Sequence, residues 1–361
     1  MLRFGGALVT GAHGTDSAHE ERLVAEGYSD RDDPAIRERT QDDGWGVRRT
    51  QDDGWGVRRT RDDGWVGTST QDASRLGAQW RHSDAEYCAR VAEGKSAIAD
   101  GDAYVLCLTD TATMRGHFDP LDLYLSLRNR GGAIRGGVIV AGDRALVSAS
   151  PERFLSVQGS TVATHPIKGT RPRSADPERD REYAAELAAD PKELAENLMI
   201  VDLMRNDLSR VCTPASVRVD GFRYVETHPH VHQLVSTVSG DLDLRFDTVD
   251  AISVTFPGGS MTGAPKRRAV EILAEMEAGP RGLYSGCFGW LDVRGDAELA
   301  MTIRGIELRE PDSATGRFRQ ARVGAGGGIT ADSEPAAELR EKHLKAAPLL
   351  AALAEVSARY S

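Results

Sequence analysis

Long hydrophobic runs are missing from this sequence. No stretch reaches the roughly 18 apolar residues of a membrane helix, so no helical span is expected. The opening residues, Met1-Leu2-Arg3-Phe4-Gly5-Gly6, hold too short an apolar run to read as a secretory signal. Cysteine is sparse: Cys88, Cys107, Cys212 and Cys287 lie far apart and form no C-x-x-C pair. Zinc-ribbon and dithiol readings are therefore weak, and reduced thiols in a cytoplasmic protein are the expectation. None of the four lies between glycines two residues before and two after, which argues against a cysteine-based hydrolase or amidotransferase site. Positive charge is also in deficit. Against 55 Asp and Glu stand 45 Lys and Arg, a net charge of −10. A general nucleic-acid binder is disfavoured, although a local basic pocket is still allowed.

Glycine, by contrast, is plentiful, at 38 of 361 residues, and predicts tight turns and close backbone approaches. Residues 1–75 read as an atypical segment. Thr40–Arg49 recurs unchanged at Thr50–Arg59, and a decayed third copy starts at Thr60. This period is too short for helical solenoid repeats. The copies are rich in Asp, Arg and Gly, the composition of a disordered linker, with Trp45, Trp55 and Trp65 available to a partner.

A globular pattern follows, with a catalytic domain expected over 84–352. Asp84 to Ile98 reads as an amphipathic helix, Tyr104 to Thr109 as a buried strand, and Pro120 to Leu127 as a helix. Gly136 to Val140 and Ala145 to Ser148 form an expected hairpin turning at Gly142-Asp143. Asp190-Pro191-Lys192-Glu193 is a helix start with an Asp cap and Pro in the first turn. Val225 to Gly240 reads as one strand with His228, His230 and His232 on one side, a weak zinc candidate. Leu283 to Leu291 and Glu298 to Leu308 read as paired strands.

The candidate chemistry begins with His165-Pro166-Ile167-Lys168-Gly169-Thr170-Arg171-Pro172-Arg173. Two prolines stiffen it and exclude a helix. A lysine held there can lose water, lower its pKa and act as nucleophile or base; a surface lysine in a basic loop is the plainer reading. Glu193 and Glu196 lie three apart on one helix, and Glu338, Glu341 and Lys345 share a face of the last. Helix capping for Glu193 and a solvated surface for Glu196 are the ordinary alternatives. Four carboxylates facing one cavity call for a cation, and an oxygen-only set suits Mg²⁺. Phe256 to Lys266 is a glycine-rich loop entering a helix, with backbone N–H groups suited to an anion. Gly258 and Gly263 have P-loop spacing, but Ala264-Pro265 replaces the required Lys-Ser/Thr, so a carboxylate is favoured over a triphosphate. Arg304, placed inside the second expected strand, needs a buried partner such as a substrate carboxylate. Val323 to Ile329 is a second glycine-rich approach. A small polyanion, a di-acid, is the implied substrate.

These segments resemble the chorismate-utilising enzymes: anthranilate, aminodeoxychorismate, isochorismate and salicylate synthases. The resemblance spans roughly 84–352. It rests on Ser150-Pro151-Glu152, Pro166 to Arg171, Ala195 to Leu203, Arg205-Asn206-Asp207-Leu208, Gly259 to Lys266 and the C-terminal Glu pair. It implies an α+β fold, two face-to-face β-sheets with helices outside. Lys168, where anthranilate synthases carry alanine, is similar to aminodeoxychorismate synthase component I. In that subfamily the lysine is implied to attack chorismate at C2 as the C4 hydroxyl leaves. Ammonia then enters at C4 to give 4-amino-4-deoxychorismate for 4-aminobenzoate and folate. Carried over by position, Glu196 and Glu341 resemble the Mg²⁺ ligands and Glu193 and Glu338 their acid or outer partners. Glu152 resembles the general acid. Thr262, Gly263, Tyr284, Arg304, Gly326, Gly328 and Lys345 resemble the chorismate contacts.

Three departures stand out. Gln233 occupies a position where anthranilate synthases carry histidine. The family's usual N-terminal segment is not recognisable in residues 1–75. The sequence contains no glutaminase domain, so ammonia is expected from a separate glutamine amidotransferase subunit or from solution. Anthranilate synthase component I and a truncated, non-catalytic binding homologue are the alternatives.

Overall fold

The computed structural model describes residues 70–130, 134–228 and 231–360. The repeats and His230 lie outside these. Residues 70–75, assigned from sequence to the atypical segment, form helix α1 (Thr70–Arg75), and Ala73 packs into the core at 1 % exposure. Strand β1 (Ala78–Trp80) follows. Helix α2 (Asp84–Ala99) starts where Ser83 accepts from the Glu86 N–H and Glu86 returns to the Ser83 backbone, satisfying two orphan donors of the first turn.

Strand β2 (Val105–Phe118) is much longer than its sequence pattern indicates. Its burial is nearly continuous rather than alternating, because most of it is covered on both faces. Asp110 disguised the continuation; this buried carboxylate lies 3.2 Å from the fully buried Lys342 ammonium. Helix α3 (Pro120–Arg130) and the hairpin of β3 (Arg135–Ala141) and β4 (Arg144–Ser150) form as expected, with Gly142 supplying the positive φ of the turn.

The middle of the chain comprises β5 (Arg153–Gln158), β6 (Thr161–His165), β7 (Ile167–Pro172), α4 (Pro177–Ala189) and α5 (Pro191–Ser209). The expected strand from Val225 to Gly240 is instead a hairpin of β8 (Arg218–Thr227) and β9 (Val231–Asp241). His228 therefore sits in the turn and His232 on the return strand, so alternation along one strand does not hold. His232 has Thr227 Oγ1 at 2.9 Å from Nδ1 and Asp180 Oδ1 at 3.0 Å from Nε2. Among the described residues no three His, Cys, Asp or Glu side chains form a ready metal cluster.

The last third holds α6 (Thr248–Thr255), β10 (Gly263–Ala264), α7 (Lys266–Met276), β11 (Cys287–Leu291), β12 (Ala297–Met301), β13 (Gly305–Pro311), β14 (Phe318–Ile329) and α8 (Pro335–Ala358). Among the described residues these build two antiparallel sheets of seven strands. One runs β1-β2-β14-β13-β4-β3, with β10 on β2; the other runs β11-β12-β5-β6-β9-β7, with β8 on β9. Helices α3 and α8 pack against the first sheet, α5 against β7 and β9 of the second, and α6 against α5. The inner faces meet: a Cβ on Gly137 of β3 would lie 3.3 Å from the Phe288 ring of β11. Arg304 is not inside a strand. It lies at the crossing from β12 to β13, in left-handed backbone at φ 49°. No helix among the described residues is long and apolar enough to cross a membrane.

A buried ion pair fastens the glycine-rich loop to the first sheet. Arg281 and Glu277 are 3 % and 0 % exposed and 2.6 Å apart. Arg281 also donates to the carbonyls of Met261 and Cys107 at 2.6 and 2.9 Å, while Glu277 accepts from Thr109 N–H at 2.9 Å. Arg281→Met leaves the Glu277 carboxylate buried without its cation. Urea unfolding is expected to show a loss of about 3–5 kcal/mol. A loss below about 1 kcal/mol would mean that the loop is held by other contacts.

Candidate active site

The site is assembled from four elements around β7. Lys168 pairs with Leu234 of β9, and the register then slips by one residue at Gly169, a bulge with φ 74°. A Cβ on Gly169 would lie 2.7 Å from Leu187 and 2.9 Å from the Glu193 carboxyl carbon, so only glycine fits both backbone and space. Lys168 points into a buried space, its ammonium 3.7 Å from Glu196 Oε2. Helix α5 delivers Glu193 and Glu196. Its start is fixed by Asp190, which accepts from the N–H groups of Lys192 and Glu193. The cap is thus Asp190 as expected, while the Glu193 side chain faces Arg171 at 3.9 Å.

Helix α8 delivers the second Glu pair and Lys345. Glu338 is 1 % exposed. Lys345 lies 2.5 Å from Glu341 and donates to the Gly326 carbonyl at 2.8 Å. The backbone of β14 forms the floor. A Cβ on Gly327 would approach Glu338 Oε2 to 3.0 Å and Glu341 Oε1 to 3.4 Å, and one on Gly328 would approach Glu196 Oε2 to 3.2 Å. The two glycines thus link carboxylates from both helices. Gly326 is forced for another reason: a Cβ there would lie 2.0 Å from the Leu108 carbonyl. Tyr284 packs against Gly324, and Arg304 Nη1 donates to the Lys345 carbonyl at 3.3 Å.

The electrostatics differ from the sequence-based expectation for Lys168. Burial favours the neutral amine, but Glu196, Cys107, Glu152 and Glu341 together outweigh it and hold the ammonium above its ordinary value. The lysine is therefore kept charged by its neighbours rather than neutral by desolvation. Burial pushes Glu193 up to about 7, helped by Glu196, Glu341 and Asp190. Burial and Glu341 raise Glu338, and burial raises Glu152 against Ser260, Lys168 and Lys345. For Glu341 burial pulls upward, but Lys345, Lys192 and Lys168 outweigh it and keep the carboxyl below its ordinary value.

The glycine-rich loop also corrects an expectation. The Met261 and Thr262 N–H groups bond to Gly258 and Gly259 carbonyls, and the Thr262 hydroxyl donates to the Gly258 carbonyl at 3.1 Å. These donors shape the loop instead of facing an anion. Gly263 pairs with Leu106 in the sheet, with no room for a Cβ beside the Val105 carbonyl at 2.1 Å. Two residues not singled out from sequence belong to the site. Cys107 lies across from Gly328, within a buried strand that gave no separate signal. Lys192 reaches Glu338 at 3.1 Å. Its signal was a cation in the first turn of a helix, where the macrodipole disfavours one.

The donor set fits a hard divalent cation in kind. It is oxygen-only, it carries excess negative charge, and Glu338 Oε2 is buried with no hydrogen-bond partner among the described residues. Three of the carboxylates each pair with a lysine, Glu196 with Lys168, Glu338 with Lys192 and Glu341 with Lys345.

The chorismate binding enzyme family matches residues 40–351. This chain belongs to that family. It is 44 % identical to anthranilate synthase component 1 of Haloferax volcanii over 274 residues, 76 % of this chain and 52 % of that protein. It is equally 44 % identical to aminodeoxychorismate synthase of Streptomyces pristinaespiralis over 284 residues, 78 % of this chain and 38 % of that one. The chain thus spans about half or less of the length of these curated relatives. Among solved structures, anthranilate synthase component I of Streptococcus pneumoniae superimposes with a TM-score of 0.68 at 32 % identity, covering 76 % of this chain and 59 % of that chain. The fold is the family's α+β arrangement of two stacked sheets.

Glu193 gives a test of the electrostatics. Its folded value near 7 exceeds its ordinary 4.5, so the folded chain binds more protons between those pH values and stability falls as pH rises through that window. In chelator-containing buffer, Glu193→Gln is expected to be about 2 kcal/mol more stable than the parent at pH 8 and close to it at pH 4. Equal urea midpoints at pH 8 would rule out the raised carboxyl.

Proposed function

We propose that this protein is the chorismate-aminating component of an aminodeoxychorismate synthase, forming 4-amino-4-deoxychorismate from chorismate and ammonia. The observation that carries the reading is Lys168, held by the Gly169 bulge in a buried pocket beside Glu196. A lysine there suits covalent catalysis in two displacements. Its amine attacks C2 of the ring as the C4 hydroxyl departs. Ammonia then forms the C4–N bond while the C2–N bond to Lys168 breaks, returning the amine. Glu152, whose carboxyl is raised by burial, is suited to protonate the departing hydroxyl. Lys168 must release a proton before attack, and the carboxylate placed nearest its ammonium is Glu196, at 3.7 Å.

Arg304 and Lys345 supply positive charge for the substrate carboxylates, and Tyr284 an apolar wall with a phenol at its edge. Thr262 and Gly263 contribute mainly shape, since the Thr262 hydroxyl and the bare Gly263 Cα serve backbone carbonyls, whereas the Gly326 carbonyl holds Lys345 and Gly328 leaves room for Glu196. Glu196 and Glu341, with Glu193 and Glu338 behind them, would hold Mg²⁺. That ion, when bound, supplies charge neutralisation and a template for a substrate carboxylate. Glutamine-derived ammonia would come from a separate amidotransferase subunit. The unit proposed for this chemistry is wider than the 84–352 expected from sequence, since Ala73 of α1 and Ala78 and Trp80 of β1 share its core with Val356 of α8.

The deciding experiment incubates the protein with chorismate, Mg²⁺ and ammonium at alkaline pH and follows the products by mass, with Lys168→Ala alongside. Aminodeoxychorismate is expected from the parent, with a loss of at least about 100-fold in the variant. Anthranilate and pyruvate from both proteins would assign the other amination to this pocket. Heat of chorismate binding with no turnover in either would identify a non-catalytic homologue.

A further inference from the structure

We propose that Lys192 is a resident counter-ion of the carboxylate cluster, displaced when a divalent cation binds, so that it sets the metal concentration at which the site assembles. The inference rests on the metal-dependent reading above. Lys192 occupies the first turn of α5, where the helix dipole disfavours a cation. Its ammonium nevertheless lies 3.1 Å from Glu338 Oε1 of α8, so one side chain ties together the two helices that carry the Glu pairs. Glu338 is half satisfied by this contact: its other oxygen is buried and accepts no hydrogen bond among the described residues. A carboxylate with one oxygen on a partly exposed ammonium and the other without a hydrogen-bond partner among the described residues is placed to change partners.

The three lysines at the cluster differ in how readily they can leave. The side chain of Lys168 is 12 % exposed and enclosed. Lys345 is held twice, by Glu341 and by the Gly326 carbonyl. Lys192 has a side chain 41 % exposed and donates only to Glu338 among the described hydrogen bonds, so its ammonium can move to water. A dication approaching Gly327, where Glu338 and Glu341 converge, would repel that ammonium and compete for the same carboxylate. A purely structural strut would behave differently, since its removal would loosen α5 against α8 and weaken metal binding.

Isothermal titration of the whole chain with Mg²⁺ separates these cases, using the parent, Lys192→Met and Lys192→Arg. Lys192→Met is expected to bind Mg²⁺ about tenfold more tightly than the parent, and Lys192→Arg to stay near it. Unchanged or weaker binding by Lys192→Met overturns the counter-ion role while leaving the metal reading intact. Binding by Lys192→Met alone supports the proposal in its strongest form. No binding by any of the three folded proteins, checked by circular dichroism, would sink the metal reading and the proposal with it.

Discussion

Like charges gathered in a space of low dielectric repel strongly, and the centre of this molecule is arranged around offsetting that repulsion. Glu193, Glu196, Glu338 and Glu341 approach one another from two helices, over a strand that presents only backbone. Three responses are visible at once. Lysines intervene, as Lys168 does for Glu196, Lys192 for Glu338 and Lys345 for Glu341. Protons are retained longer, as at Glu193 and Glu338. Water is left for only some of the groups, since Glu338 is almost wholly enclosed. Each response also serves chemistry: retained protons can be donated, and lysines can exchange for other cations or for substrate.

Holding such a cluster requires a stiff frame, and the frame is built from other buried charges. Arg281 and Glu277 tie the glycine-rich loop to β2. Lys342 on α8 reaches Asp110 on β2, with its ammonium 4.2 and 4.4 Å from the ring centres of Trp80 and Tyr87. That contact lies one residue after Glu341, so it fixes the rotation of α8 beside the cluster. Buried pairs of this kind contribute little net stability over apolar packing, but losing one partner is costly, which makes them effective at specifying a single arrangement.

Much of this was legible in the sequence, for reasons that can be named. Prolines marked the starts of α3 and α5, with an Asp cap at α5, and apolar periodicity marked α2, because such signals act locally. The i, i+3 spacing of Glu pairs gave their common faces. Lys168 stood out through the prolines around it. What escaped depended on long-range contacts. The length of β2 was hidden by Asp110, whose partner lies 232 residues away. The β8–β9 hairpin was read as one strand because its turn coincides with the histidines. Arg304 looked like a strand residue because an apolar run continues on both sides of the crossing between sheets. The charge state of Lys168 follows from Glu196, Cys107, Glu152 and Glu341 on other segments, which no local pattern reveals.

The bare backbone of β14 carries one more implication. At Gly324, Gly326 and Gly327 the closest atoms to an added methyl would be the Tyr284 ring, the Leu108 carbonyl and the Glu338 carboxylate. The floor of the pocket therefore has no adjustable side chains, and even the smallest addition meets a wall or a working group. Drift in substrate preference within this architecture is confined to the remaining walls. The floor acts as a fixed datum plane, against which altered side chains on β7, α5 and the segment around Tyr284 are measured.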